Sequence, residues 1–326
     1  MKVDLVYLWV DGQDPEWAKK RFQHHYKADN DIEINEAVTA ARTLDNDELR
    51  YSLRSVEKYA PWINHIFIVT DNQTPKWLDT NNPKVSIIDH KDIMPHDALP
   101  CYNSCALELA ICNIPHLCEH FIYANDDMML GRSLSKDFFF NSDGKVKCRF
   151  FWCEKIIVDK SKQYSYNYST AKASERIADD FSREDVLHLR PHHQIDAYKK
   201  SVIKECLKAY PQWHTSTIHN CFRSYDDMQR HILSLYCIAT NQGEIIILEN
   251  NSTFIKRIPS RIKAILGISK GIDSKITPTH TSLIKVLFYM KILKPALVCF
   301  NGSIRKGAEL KNKLNKIFPK KSKFEL

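Results

Sequence analysis

Two carboxylates stand side by side at Asp126-Asp127, directly after the apolar run Phe121-Ile122-Tyr123-Ala124 and Asn125. Adjacent acids at the end of a buried strand repel each other unless a cation lies between them. A hard divalent ion, Mg²⁺ or Mn²⁺, held by one or two carboxylates plus phosphate oxygens would relieve that repulsion. An Asn-Asp turn capping the next segment is the plain structural alternative. Arg50 and Arg54 lie four residues apart on one helix face, a separation that suits two guanidinium forks on one phosphate group. Pairing within the helix, to Glu48 or Glu57, is the alternative there. His192-His193 follows Arg190-Pro191 and precedes Ile195-Asp196. At a helix start a histidine is kept neutral and able to accept a proton, although a metal-ligating or simple surface pair has the same spelling. Arg223, before Ser224-Tyr225-Asp226-Asp227, reads as part of a helix start or as an arginine brought to an anionic centre.

These residues need a scaffold, and the first half of the chain spells one. Val3–Val10 reads as a strand and Pro15 opens a helix. The clearest helix covers 45–60, with Asp45 as cap, Glu48 closing a capping box and Pro61 beyond the end. Its Leu49, Leu53 and Val56 form one apolar stripe. His65–Thr70, Val85–Ile88 and Phe121–Ala124 read as strands, with a turn of helix at Pro75–Leu78 and a helix at Asn103–Cys112. Strands separated by helical segments imply an α/β fold, a mostly parallel sheet covered on both faces. In such sheets ligands bind beyond the carboxyl ends of the strands, which is where Asp126 and Asp127 fall. The second half reads as mainly helical, over Asp196–Tyr210, Tyr225–Ala239, Ser260–Leu266 and Thr281–Ile292, with a strand at Glu244–Leu248. Residues 159–170 read as an exposed loop and 301–326 as a fraying basic tail.

Composition narrows the field of functions. The chain has 326 residues, 44% of them hydrophobic and 26% charged, an ordinary globular profile. With Gly 8 in total there is no glycine-rich phosphate loop. Ten cysteines show no CxxC spacing, which suits a reducing cytoplasm rather than a disulfide framework. The net charge of +8 is concentrated: residues 251–326 hold 17 Lys and Arg against 3 Asp and Glu. An anionic membrane surface or an anionic polymer is the expected partner of that end. The Thr281–Ile292 helix would lie on the inner face of the cell membrane. No basic–aromatic module of a DNA- or RNA-binding protein accompanies the charge, so nucleic acid is not expected. The apolar stretch Leu283–Phe300 is interrupted by three lysines and a proline, so it does not span a bilayer.

Taken together, four segments resemble the Stealth family of sugar-1-phosphate transferases. Asp4–Gly12 is similar to the family's first block and Asp45–Gly131 to its second. The second includes Arg50-Tyr51-Ser52-Leu53-Arg54-Ser55, Ala60-Pro61-Trp62, Ile68-Val69-Thr70-Asp71, Leu99-Pro100 and Phe121–Asp127. Pro191–Asp196 resembles the third block, and Arg223 with Asp226-Asp227-Met228-Gln229 its continuation. The resemblance implies a Rossmann-like glycosyltransferase-type core over 1–250, with an insertion at about 132–190, and a separate basic helical region over 251–326. It implies transfer of hexose-1-phosphate from a UDP-sugar donor to an oligosaccharide or polysaccharide hydroxyl, leaving a phosphodiester in a capsular or surface glycan and releasing UMP. Asp126 and Asp127 would hold Mg²⁺ or Mn²⁺ at the diphosphate. Arg223, Arg50 and Arg54 would balance phosphate charge. The Ile195-Asp196 spacing points to His193 as the base, whereas a directly adjoining Pro-His pair would select His192. Trp9 and Asp11, at the end of the first strand, would contact nucleobase or ribose, and Asn103, Asn125 and His192 would complete the substrate contacts. A conventional glycosyltransferase, attacking the anomeric carbon on the same scaffold, is the rival reading.

Overall fold

The computed structural model describes residues 1–27, 45–156, 158–159, 165–248, 275–276, 289–300 and 307–326. Along the first half run β1 (Val3–Leu8), α1 (Pro15–Lys27), α2 (Glu48–Tyr59), β2 (Ile66–Thr70), β3 (Val85–Asp89), α3 (His90–Ile93), α4 (Ser104–Ala110), β4 (His120–Asn125) and β5 (Met128–Leu130). The second half adds β6 (Val146–Trp152), α5 (Ser165–Phe181), β7 (Leu189–Pro191), β8 (Asp196–Lys199), α6 (Lys200–Ala209), α7 (Pro211–His219), α8 (His231–Ala239) and β9 (Gly243–Leu248). Beyond these lie β10 (Lys275–Ile276), β11 (Leu297–Phe300) and α9 (Gly307–Ile317).

The central sheet has the order β3-β2-β1-β4-β8. β1, β2, β3 and β4 run parallel, and β8 closes the edge antiparallel to β4. The chain winds outward from β1 through β2 to β3, then returns to place β4 on the other side of β1. The strand order therefore reverses between β1 and β4, and the crevice beyond their carboxyl ends is the switch point where ligands bind in this architecture. The α/β expectation holds.

Local sequence explains most of these elements. β1, β2 and β4 are mostly apolar and buried because both faces are covered. In α2 the stripe Leu49, Leu53, Val56 is fully buried, each side chain contributing about 1.5–3 kcal/mol of apolar burial. Its start differs from expectation. The cap position is Asp47, in a left-handed conformation (φ 64°) with no side-chain cap bond. Asp45 Oδ1 accepts from Asp47 N, and the Glu48 carboxylate accepts from Asn46 N and Nδ2. The expected capping box is replaced by a tight acidic turn.

Two smaller sheets flank the central one, in the orders β7-β6-β9 and β10-β11-β5. β5 and β11 pair antiparallel, and the chains approach so closely that a Cβ on Gly131 would sit 2.2 Å from the Pro295 carbonyl oxygen. The second half is thus less helical than its sequence suggested. Asp196–Lys199 is a strand because β4 offers it an open edge, so the helix there begins only at Lys200. Residues 225–230 precede α8 rather than extending it, since Asp227 is spent accepting from Ser224 N. Within the expected loop 159–170, residues from Ser165 onward belong to α5. Ser260–Leu266 and most of Thr281–Ile292 lie outside the described residues. Among the described residues no helix is long and apolar enough to cross a membrane.

The end of the chain does not fray. Leu310, Leu314, Ile317 and Phe318 pack with Tyr51, Met129, Val298 and Phe300 in a second apolar cluster. Glu325, its side chain fully covered, takes Arg50 Nε at 2.6 Å and Arg54 Nε at 2.7 Å. Arg54 Nη2 donates to the same carboxylate at 2.7 Å and Arg54 Nη1 to the Phe318 carbonyl at 2.7 Å. Lys311 pairs with Asp47, and Leu326 N donates to the Trp77 carbonyl. The segments 289–300 and 307–326 therefore pack on the α2–β5 face of the preceding residues. Burial opposes ionisation of Glu325, but hydrogen bonds from Arg54, Ser322 N and Arg50 hold its pKa at about 2 against 4.5 when free. Its contribution to stability is complete above about pH 4.5 and is lost as pH falls toward 2. Removing one partner of a buried ion pair strands the other, so Glu325→Ala should cost about 3–5 kcal/mol. The check is the urea midpoint at neutral pH, and an unshifted midpoint would show the clamp to be idle.

Candidate active site

Beyond the carboxyl end of β4, Asn125-Asp126-Asp127 turns the chain into β5. Tyr123 Oη lies 2.7 Å from Asn125 Oδ1 and 3.1 Å from Glu108 Oε1, which fixes the asparagine. Asp126 Oδ1 accepts from Asp127 N, and Asp127 Oδ2 accepts from the Cys299 thiol at 3.2 Å. Burial drives the Asp126 carboxyl well above the usual carboxylate range, and the charges of Asp127, Glu48 and Asp45 push it the same way. Asp45 is pushed up to about 7, first by burial and then by Glu48, with Asp47 and Asp11 adding to it. The turn before α2 and the turn after β4 thus face each other as one acidic cluster. Such a donor set suits a hard divalent cation. Among the described residues no three His, Cys, Asp or Glu side chains converge as a complete protein cage.

The histidine pair sits in a four-residue link, 192–195, that carries the chain from β7 in one sheet to β8 in the central sheet. Because Asp196 registers against Tyr123, this link enters at the same sheet end as Asn125. The two histidines are treated oppositely. His192 is buried, its side chain 1% exposed, with Nε2 2.8 Å from Asp196 Oδ1. His193 adopts a left-handed conformation (φ 50°), is half-buried and meets the Tyr166 ring edge-on at 5.7 Å. A left-handed residue reverses the direction of the chain locally, which lets neighbours face different surroundings.

Sequence reasoning missed the group that organises this region, Arg230. It pairs with Asp196, lies 3.3 Å from Glu108 Oε1, and reaches Tyr198 Oη and the Tyr123 ring. Burial alone would raise the Asp196 pKa, but Arg230 and His192 hold it far below the usual range. Burial raises that of Glu108 against the opposing pull of Arg230 and Arg223. His192, Asp196, Arg230, Glu108, Tyr123 and Asn125 form one buried chain from the histidine link to the acidic turn. Arg223 lies beside it: one Nη donates to Ser104 Oγ at the start of α4, and burial of its guanidinium is outweighed by Cys105, Glu108 and Asp227.

Several expected substrate contacts are placed otherwise. Arg54 is held by Glu325 and the Phe318 carbonyl through Nε and both Nη groups, and Arg50 gives its Nε to the same carboxylate. Asn103 is buried, capping α4 through Cys105 N and donating to Asp227 Oδ2 at 2.8 Å. His192 is walled in. Trp9 is 5% exposed within the core at the end of β1, with its Nε1 buried and without a hydrogen-bond partner among the described residues. Asp11 remains at the crevice, its backbone N–H accepted by Gln73 Oε1 at 2.9 Å and its Oδ1 accepting from Gln13 N.

Comparison with known proteins places the chain in a family. Residues 42–148 match the profile Stealth protein CR2, conserved region 2, and residues 1–22 match Stealth protein CR1, conserved region 1. The chain is 35% identical over 269 residues to the exopolysaccharide phosphotransferase cps2G of Lactiplantibacillus plantarum, covering 74% of this chain and 76% of that protein. It is 38% identical over 230 residues to the exopolysaccharide phosphotransferase SCO6023 of Streptomyces coelicolor, spanning 69% of this chain but 38% of the relative's length. Among solved structures, the galactosyltransferase LgtC with donor and acceptor sugar analogs superposes over 97% of this chain at 10% identity and a TM-score of 0.43. On the strength of the Lactiplantibacillus relative and the two conserved regions, the chain belongs to the Stealth family.

Proposed function

We propose that this protein transfers hexose-1-phosphate from a UDP-sugar to a hydroxyl of an oligosaccharide or polysaccharide, building phosphodiester links of a surface glycan. The observation that carries the reading is the shared position of two groups at one end of the central sheet. The acidic Asp126-Asp127 turn follows β4, and the His192-His193 link enters β8 alongside it. A divalent ion bound by Asp126 and Asp127 would neutralise diphosphate charge there. Phosphoryl transfer demands positioning and charge balance more than covalent chemistry from the protein.

His193 accepts the proton of the acceptor hydroxyl as that oxygen attacks the phosphorus bearing the sugar. The bond to the bridging oxygen of UMP breaks, and the sugar C1–O bond stays intact. His192 positions rather than reacts: held by Asp196 and Arg230, it fixes the link on which His193 sits. Arg223, flanked by Glu108 and Asp227, places a cation at the same end of the sheet for a non-bridging phosphate oxygen. Asp11, at the end of β1, faces the ribose side of the crevice. We also propose peripheral contact of the basic region with an anionic bilayer at the inner face of the cell membrane, carried by those basic side chains that are not paired as Lys311 is with Asp47.

The test is product identity. Incubation with a panel of UDP-sugars, acceptor and Mg²⁺ should release UMP and give a phosphodiester ³¹P signal. Release of UDP with no phosphorus in the product would mean glycosyl transfer at the anomeric carbon instead.

A further inference from the structure

Between α5, α7 and the 224–227 turn lies an open cavity of about 660 Å³ that the reaction described above does not use. Its size falls in the range of small-molecule sites. One wall is a single face of α5, with Lys172, Glu175, Arg176 and Asp179 spaced so that all point the same way. The opposite wall holds Trp213 and Tyr210, whose rings meet edge-on at 6.5 Å. Trp213 is half-buried and anchored by its Nε1, which donates to the Asp226 carbonyl at 2.7 Å. Lys172 Nζ lies 5.8 Å from the Trp213 ring centre and the Arg176 guanidinium 5.2 Å from that of Tyr210. Aromatic edges interleaved with carboxylates and cations are complementary to a molecule with apolar C–H faces and hydroxyl edges.

Charge argues against a nucleotide or phosphate here. Lys172 is engaged by Asp226, and Arg176 by Asp180 at 2.8 Å. Glu175 and Asp179 add negative charge, and a carboxylate rim accepts from hydroxyls but repels phosphate oxygens. Position argues for the acceptor side. Tyr166, near the start of α5, packs on His193, and Tyr168 packs on Tyr225 at 5.6 Å. The lining face begins at Lys172 and ends at Asp179, about 9–20 Å further along the helix at 1.5 Å rise per residue. The cavity is therefore too far along to hold the reacting hydroxyl, and a chain of several sugar units would be needed to join it to His193.

We propose that this cavity is an acceptor subsite that holds a neutral sugar unit set back from the reacting one, with Trp213 in its wall. The inference rests on the acceptor reading above and specifies where the body of the acceptor lies. It is tested on the whole protein by saturation-transfer NMR with maltotetraose, cellotetraose and chitotetraose at millimolar concentration, with UDP binding measured on the same samples. At least one tetrasaccharide should bind, and both Trp213→Ala and Ser216→Trp should weaken it by about tenfold or more. Ser216 is an exposed lining residue, so its replacement fills the cavity without disturbing the Trp213 anchor. Absence of tetrasaccharide binding, or equal binding by wild type and Ser216→Trp, overturns the proposal. Samples that bind UDP but no saccharide remove this inference and leave the donor reading standing. Samples that bind saccharide but not UDP do the reverse.

Discussion

Replacing His193 with alanine lowers kcat by about 10²–10⁴-fold, the usual contribution of a positioned general base, and leaves donor affinity little changed. The structure gives this prediction a control that sequence could not. His192→Ala removes a ring wedged against Asp196 and leaves that carboxylate with Arg230 alone, so its first effect is on stability. The loss of one partner from a buried charged network is on the order of 3–5 kcal/mol. The two variants therefore separate by readout. His193→Ala melts near wild type with a crippled kcat, and His192→Ala melts early. A His193→Ala enzyme with wild-type kcat, beside a stable but inactive His192→Ala, would transfer the base to the buried neighbour.

Asp126→Asn should have two effects of opposite sign. In the metal-free protein, burial and the charges of Asp127, Glu48 and Asp45 all disfavour ionisation of Asp126. Asparagine replaces a group whose ionisation the site opposes, and the melting temperature of the metal-free variant should rise. Turnover with Mg²⁺ should meanwhile fall to background, as it should in Asp127→Asn and after treatment of the wild type with EDTA. Binding of Mn²⁺, followed by electron paramagnetic resonance in the presence of UDP, gives a readout independent of catalysis. Near-normal turnover in either variant would remove the cation from the acidic turn.

How much of this was legible in the sequence depends on how far apart the interacting residues lie. The acidic turn could be read because its signal is local, an apolar run ending in adjacent acids. The apolar stripe of α2 was legible for the same reason. Arg50 and Arg54 were misjudged because their partner, Glu325, lies 275 and 271 positions away and carries no local mark. Asp196 looked like the first residue of a helix, because neither the open edge of β4 nor Arg230 can be seen from its neighbours. Glu108 did carry a signal. A carboxylate inside Ala106-Leu107-Glu108-Leu109-Ala110 is out of place on an apolar helix and demands a buried cation. Asking which arginine answers it would have led to Arg230 or Arg223.

The clamp around Glu325 sets an order of events during synthesis. α2 emerges early, carrying two arginines whose buried partner is made some 270 positions later. Translation proceeds at about 5–20 residues per second, so that interval is on the order of tens of seconds. Through it the apolar face that later receives Leu310, Leu314 and Phe318 stays uncovered, and the acidic turn at the head of α2 lacks Lys311. A nascent chain of this protein is thus exposed at the surface that flanks its reaction centre until residue 325 has cleared the ribosome.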